Sequence, residues 1–530
     1  MGSCSGNESE VKPVKNIILM IPDGTSTSLL ATTRWYKEFT SPQDGKATLS
    51  FDPYICGLVR QQSTDAPIPE SSGGISSLMT GYFVHGPNIS VYPPANKEED
   101  IVRVNPDSPL QPLATVMEAA RLLKNKRLGL VATVAFTHAT PAGTSAHSAT
   151  RYDNPTIARQ MAANNVDVVL AGGNAFIGEK EEELLKMNGT EIIRKDVKAF
   201  REFSGDKVWA LFADDYMSMQ ADRDDRHEPS LEEMTTKALD ILSDSPDGFF
   251  LMVEGSKIDY AAHANDPYGV VTEFSAFDRA VGIALDFAKK DGNTAVIVVP
   301  DHGTAGVSFG DNKYYEYSTN GLGRLFAGMS GFRKTSEALE SEIRLCDVKD
   351  IPAIFEKGTG IKLNEKELAM IVDVKDEIAG NYMEVAYSYT LQSVIARIMK
   401  EHTNMGFVSG GHTSEDVFLA VYNPNGQRPE GYMPAYELAS YMAELAGLPM
   451  TLDQLTSEIF VRHDILLKGH DYEIEGEGIE RTLVVDGVLR LPANVSYAEK
   501  NGEMLPLGSI SVYVKQNGMF YVSKKVLELI

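Results

Sequence analysis

Cysteine is scarce in this chain: three residues in 530, at positions 4, 56 and 346. That spacing excludes a disulfide framework and a cysteine-built zinc cluster, and it predicts buried thiols at Cys56 and Cys346. Positive charge is short as well. Lys and Arg number 49 against 74 Asp and Glu, a formal net charge of −25. Such a balance excludes a general nucleic-acid binder, because a phosphate backbone needs a basic face. It leaves small phosphate esters open, since bound metal ions supply local positive charge. No run of about 18 apolar residues occurs, so no membrane-spanning helix is predicted. Repeats and low-complexity segments are also missing. What remains is an ordinary globular composition, 43% hydrophobic and 23% charged, in a chain long enough for one large core or several domains.

Residues 1–15 are polar and read as a flexible start. The stretch Met1-Gly2-Ser3-Cys4-Ser5-Gly6-Asn7 has no signal-peptide apolar core. Cys4, ahead of small polar residues, looks like the lipid-bearing cysteine of a processed bacterial lipoprotein, with an incidental cysteine as the alternative. The lipoprotein reading implies a periplasmic or extracytoplasmic location. Over 16–303, short apolar runs alternate with helical patterns. The runs are Ile17–Ile21, Leu128–Phe136, Val166–Leu170, Phe249–Val253 and Ala295–Val299; the helices are Leu113–Asn125, Pro229–Ser243 and Thr272–Asp291. This alternation predicts an α/β fold, a central mostly parallel sheet sandwiched between helices. The rhythm lapses over 304–395, which reads as an inserted cap. The core resumes over 396–465, with a strand at Asp416–Tyr422 and a helix at Pro434–Ala446. Period-two patterns with turns at Asn501-Gly502 and Asn517-Gly518 predict a small β-rich region over 466–530.

Chemistry-bearing residues follow the apolar runs. In an open α/β sheet the carboxyl ends of strands are where ligands bind. Asp23-Gly24 follows Asn16–Pro22. Glu254 follows Phe249–Val253 and opens Glu254-Gly-Ser-Lys-Ile-Asp259-Tyr-Ala-Ala-His263. Asp301-His302-Gly303 follows Ala295–Pro300. Asp259 and His263, four apart, share one face of a helix and can hold one ion, although the pair alone also fits a surface hydrogen bond. His412, in Ser409-Gly-Gly-His-Thr413, is the best third ligand. Asp301 and His302 can serve one metal only where the strand turns, which Gly303 permits. Asp/His sets suit zinc, closely spaced metals suit phosphoryl transfer, and Glu254 suits an oxygen-rich magnesium site. The turn Pro69-Glu70-Ser71-Ser72-Gly73-Gly74 runs into an apolar helix. A serine there is an N-cap, or a nucleophile if a metal lowers its hydroxyl pKa. Arg151, closing His138–Arg151, is a surface arginine or a planar clamp for phosphate oxygens.

In this order and spacing the patterns resemble the alkaline phosphatase family over residues 16–422. Ile21–Gly24, Glu70–Ser72 with Thr80-Gly81, His138–Thr144 with Arg151, Glu228–Met234, Glu254–His263, Asp301-His302 and Gly411–Thr413 carry the resemblance. It implies a phosphate monoester hydrolase, usually a homodimer, with two zinc ions and one magnesium. Asp259, His263 and His412 would hold the first zinc. Asp23, Asp301 and His302 would hold the second, with Ser71 as nucleophile forming a phosphoserine. Asp23, Thr140 and Glu254 would hold magnesium, with His138 just outside its ligands. Arg151 would hold the phosphate, and Tyr260 would face it. Small phosphomonoesters are the implied substrates, and inorganic phosphate the product and inhibitor.

Three departures stand out. Glu70 replaces the family's Asp, which predicts a looser hold on Arg151. Tyr260 stands where relatives carry Lys, His or Trp. His138, in place of the bacterial Asp, alters the surroundings of the third metal. Ser72 is predicted to contact free backbone N–H groups at the helix start. Other readings remain: a phosphodiesterase or phosphomutase of the same superfamily, or a non-catalytic phosphate or metal binder. Glu254, Thr140 and Arg151 argue against the diesterase. A sulfatase would need a Cys-x-Pro-x-Arg motif, which none of the three cysteines has.

Overall fold

A computed structural model describes residues 11–94, 98, 100–311 and 321–530. Cys4 and part of the aromatic stretch after Phe309 lie outside the described residues. The core is a ten-stranded sheet. We label its first eight strands β1 (Asn16–Ile21), β2 (Ile55–Arg60), β3 (Arg127–Ala135), β4 (Val168–Gly172), β5 (Glu191–Arg194), β6 (Val208–Leu211), β7 (Phe249–Glu254) and β8 (Thr294–Val298). From one edge the order is Gly431–Pro434, β2, Val417–Tyr422, β8, β1, β7, β3, β4, β6, β5. All neighbours are parallel except at Val417–Tyr422, which runs antiparallel to both β2 and β8.

Every residue of β1, β7 and β8 is buried. That is the mark of central parallel strands covered by helices on both faces, and it explains runs such as Ile17–Ile21 that do not alternate. The register of β1 on β7 pairs Ile21 with Glu254, and β1 on β8 pairs Met20 with Val298. The residues that follow these strands therefore emerge side by side at the carboxyl end of the sheet.

The helices start where the sequence has capping residues. Asp266 caps the 25-residue helix Pro267–Asp291 by accepting from the Tyr268 and Gly269 amides, so this helix begins five residues before the periodic pattern alone implied. Ser230 caps Leu231–Leu242, and Thr115 forms a reciprocal capping box with Glu118 ahead of Val116–Lys124.

Residues after 321 form the helices Ser336–Leu345, Ile351–Thr359, Glu365–Asp373 and Leu391–Glu401. The last runs straight through 395, so the expected boundary of the insertion falls inside a helix. Two core carboxylates receive the first of these helices. Asp222 accepts from the Thr335 amide at 3.1 Å and its hydroxyl at 2.5 Å, and Asp266 accepts from the Ser336 amide at 2.6 Å. Glu337 adds an ion pair at 2.8 Å to the fully buried Lys257.

The C-terminal region holds a five-stranded antiparallel sheet over Tyr472–Pro506 and a three-stranded one built on Met519–Val522. It has its own small core around Leu483, Leu491 and Phe520. Asn501 and Gly502 both take positive φ, the geometry of a tight two-residue hairpin. Cys56 and Cys346 are free thiols but only half-buried, not buried as expected. Among the described residues no helix is long and apolar enough to cross a membrane.

Candidate metal centre

The predicted ligands meet at one end of the sheet. Asp23 follows β1, Glu254 ends β7, and Asp301 comes three residues after β8. Asp259 and His263 lie on the short helix Lys257–His263, directly after β7. His412 arrives on Gly303's own partner, a two-residue ladder that pairs Gly303-Thr304 with His412-Thr413. Gly303 is thus an extended residue and not the turn glycine expected from sequence. Its role is steric: a Cβ there would sit 2.5 Å from the Glu415 carboxylate. Gly24 does have a left-handed φ of 61°, and a Cβ on it would strike Asp259 Oδ1 at 2.2 Å.

Hydrogen bonds behind the ligands fix which ring nitrogen faces inward. His263 Nδ1 donates to the Gly410 carbonyl at 2.6 Å, and His412 Nδ1 donates to the Pro69 carbonyl at 2.9 Å. The Nε2 atoms of both therefore carry bare lone pairs, and they lie 3.1 Å apart. Asp259 stands 3.3 Å from His263 Nε2 and 4.0 Å from His412 Nε2. Two ring nitrogens and a carboxylate facing one another need a cation or a proton between them. Thr304, which the sequence reading missed, donates to Asp259 Oδ1 at 2.6 Å and sits 3.2 Å from His302 Nδ1.

The second cluster is Asp23, Asp301 and His302, all fully buried, with ligand atoms within 4.8 Å of one another. His302 Nε2 lies 3.5 Å from Asp23, 3.4 Å from Asp301 and 3.2 Å from Ser71 Oγ. Ser71 is the first residue of the helix Ser71–Thr80, at its positive end. Asp259, His302 and His412 also fall within 4.8 Å, so His302 bridges the two clusters.

A third group unites Asp23, Glu254 and His138. The resemblance implies that His138 stands just outside the ligands; its Nδ1 is buried beside Asp23 and Glu254 without a partner. Thr140 is buried in the same cluster, but its hydroxyl reaches Asp301 Oδ2 at 3.4 Å.

Both oxygens of Asp23 and of Glu254, and Oδ2 of Asp259, are buried with no hydrogen-bond partner. Burying bare carboxylates together is costly unless a cation or a proton joins them. Burial, then the charges of Asp301, Asp259 and Glu254, raise the Asp23 carboxyl far above its ordinary range. Burial lifts Glu254 to about 8, and burial together with Asp259 lifts Asp301 to about 7. The donor set fits divalent metal: nitrogen-rich at Asp259, His263 and His412, where zinc is favoured, and oxygen-rich at Asp23 and Glu254.

Arg151 lines the approach. Its Nη1 donates to Glu70 Oε2 at 2.9 Å, and its side chain is 4% exposed. The longer Glu70 reaches the arginine, which corrects the expected loose hold. Ser72 donates to Glu70 Oε1 at 2.7 Å, so it braces that carboxylate in place of capping backbone amides. A cavity of about 650 Å³ opens beside Arg151, walled by His138, Tyr152, Tyr216, Tyr260 and Tyr382. Tyr260 lines it, stacked flat on Tyr382 at 3.7 Å with the Lys257 ammonium 4.6 Å over its ring. Tyr382 carries no motif, and no signal in the sequence marks it.

A family model described as alkaline phosphatase matches residues 14–448. Alkaline phosphatase 3 of Bacillus subtilis is 31% identical over 453 residues, covering 82% of this chain and 88% of that protein. The repressible alkaline phosphatase of Saccharomyces cerevisiae is 30% identical over 55% of each chain. Among solved structures, the Thermus thermophilus alkaline phosphatase superposes with a TM-score of 0.71 at 22% identity, over 85% of this chain and 96% of that one. A cold-active alkaline phosphatase from Shewanella sp. gives 0.69 at 24%, over 82% and 100%.

Proposed function

The chain belongs to the alkaline phosphatase family and is a phosphate monoester hydrolase; on that premise we propose that it works through a phosphoserine on Ser71, at a site for two zinc ions and one magnesium. The observation that carries this reading is a cluster of buried, unpartnered carboxylate oxygens whose shared ligand, His302, lies 3.2 Å from Ser71 Oγ. Asp259, His263 and His412 would hold one zinc, and Asp23, Asp301 and His302 the other. Asp23, Glu254 and Thr140 would hold magnesium, with the His138 nitrogen adjoining. When bound, the ions neutralise these carboxylates and stabilise charge on the attacking and leaving oxygens.

The chain's own residues do the rest. The helix start holds Ser71 Oγ beside the cluster, 3.2 Å from His302 Nε2, where it meets the phosphorus of a bound ester. The oxygen attacks in line, the alcohol departs with the bonding pair and takes up the proton that Ser71 gives away, and a phosphoserine remains. Arg151 donates to the non-bridging oxygens while Glu70 holds its other end. Water then breaks the Ser71–phosphate bond and releases inorganic phosphate. Placed charge, more than proton transfer, lowers both barriers. A two-copy assembly and a lipid-bearing Cys4 outside the cytoplasm belong to the same proposal and rest on resemblance alone.

The test is to quench the metal-loaded enzyme in acid with labelled substrate and map the labelled peptide. The label should sit on Ser71. Ser71→Ala should remove it and cut turnover by several orders of magnitude with metals still bound. A label on Ser72, or full turnover without Ser71, overturns the reading.

A further inference from the structure

Arg151 is gripped at both ends of its fork. Glu70 takes Nη1, while Nη2 lies 3.0 Å from His138 Nε2 and 3.4 Å from the Tyr382 hydroxyl. A guanidinium tied at one nitrogen still swings about that bond. A second fixed point at the other nitrogen sets its plane, and the plane decides whether two donors reach one phosphate. Glu70 and His138 belong to the core, but Tyr382 comes from the segment between the helices Glu365–Asp373 and Leu391–Glu401.

The Tyr382 hydroxyl has little freedom of its own. Its ring lies parallel to Tyr260 within 8°, with centroids 3.7 Å apart, and meets His263 edge-on at 5.5 Å. Its oxygen is also 3.1 Å from His138 Nε2. Tyr260 is in turn capped by Lys257, whose ammonium pairs with Glu337 of the same inserted region. The path from Glu337 through Lys257, Tyr260 and Tyr382 to Arg151 is unbroken contact.

We propose that Tyr382 is a positioning residue for Arg151, so that the inserted region completes the phosphate site and sets phosphate affinity. The proposal rests on the reading of Arg151 as the phosphate clamp. Tyr382 touches no reacting atom; it acts by holding Nη2 while the remaining N–H groups face the substrate.

The test uses the metal-loaded full chain and inorganic phosphate as the probe. Tyr382→Phe keeps the stacked ring and removes only the oxygen. It should raise the phosphate inhibition constant and the monoester KM about 2- to 10-fold, the worth of one hydrogen bond, with a smaller change in kcat. In an Arg151→Ala background the same change should have no further effect on phosphate inhibition, because the group it positions is gone. Tyr382→Leu, which also removes the stack, should weaken phosphate at least as much as Tyr382→Phe. Unchanged inhibition in Tyr382→Phe overturns the proposal, and so does an equal loss with and without Arg151. If Arg151→Ala alone leaves phosphate inhibition unchanged, the clamp reading fails and takes this inference with it.

Discussion

The strand-end ligands and the aromatic wall that faces them are built in opposite ways. Asp23, Glu254, Asp259, Asp301 and His302 are completely buried and each lies within five residues of a central strand. Their backbones are fixed by the most cooperative part of the fold, so their oxygens and nitrogens can be held at separations that repel. Tyr382 is half-buried on a short segment of the inserted region, held by its stack on Tyr260 and by hydroxyl contacts to His138 and Arg151. The first group stores electrostatic conflict for metal to relieve. The second stores almost none and supplies shape. The rigid half fixes the candidate ligand atoms, and the appendage shapes the approach to them.

Stripping metal breaks this comparison most sharply. With the cations gone, the rigid half keeps its conflict and loses its purpose. Chelation should abolish turnover, and zinc should restore more of it than magnesium alone, because His263, His412 and His302 offer nitrogen. The same addition should raise the melting temperature, since an ion that binds only the folded state stabilises it by about 2.7 kcal/mol at a hundred times its Kd. Full activity in a magnesium-only sample, or a melting temperature indifferent to zinc, would count against the ligand assignment.

Arg151 joins the two halves, and its removal sharpens the comparison next. Arg151→Ala should weaken phosphate and slow monoester turnover by roughly 10- to 100-fold, with less effect on diesters. A monoester has one more charged oxygen to lose contact with, and a hydrogen bond to a charged group is worth about 1.5–3 kcal/mol. Parallel kinetics on a monoester and a diester decide it. Equal losses on both would show that the arginine does not read the monoester.

The two halves also differ in how far the sequence reveals them. Asp23, Glu254 and Asp301 were legible because each closes an apolar run, and strand ends are the one place where local sequence and site position coincide. Asp259 and His263 were legible because helix periodicity puts them together. The mostly parallel sheet followed from the same runs. Gly303 was misread because a turn and a two-residue ladder look alike without the partner strand, 109 residues away at His412. Glu70's reach to Arg151 and Ser72's brace on Glu70 are tertiary contacts that no spacing encodes. Tyr382 was invisible for a related reason. Its stacking partner, Tyr260, is 122 residues distant, and one tyrosine in a helix-rich stretch has no pattern to stand out from.

The smallest effect should come from the seam between the two regions. Asp222 is a core carboxylate that accepts from the Thr335 amide and hydroxyl at the start of the helix Ser336–Leu345. Those contacts favour its charge, but burial outweighs them and raises its pKa to about 6. The folded state therefore holds this proton at a pH where the unfolded chain, with an ordinary aspartate near 3.8, has released it. Stability from Asp222 is whole below about pH 4 and falls as pH rises toward 6 and just beyond, where both states are ionised. The penalty reaches about 1–3 kcal/mol. Asp222→Asn cannot ionise, so the variant should gain on the parent across this window, whatever constant offset its lost amide contact adds. Melting temperatures of both proteins at steps from pH 4 to pH 7, with metal saturating, give the difference directly. A gap that stays constant would mean that the seam is held by Asp266 and the Lys257–Glu337 pair, with Asp222 ionising as freely as it does in water.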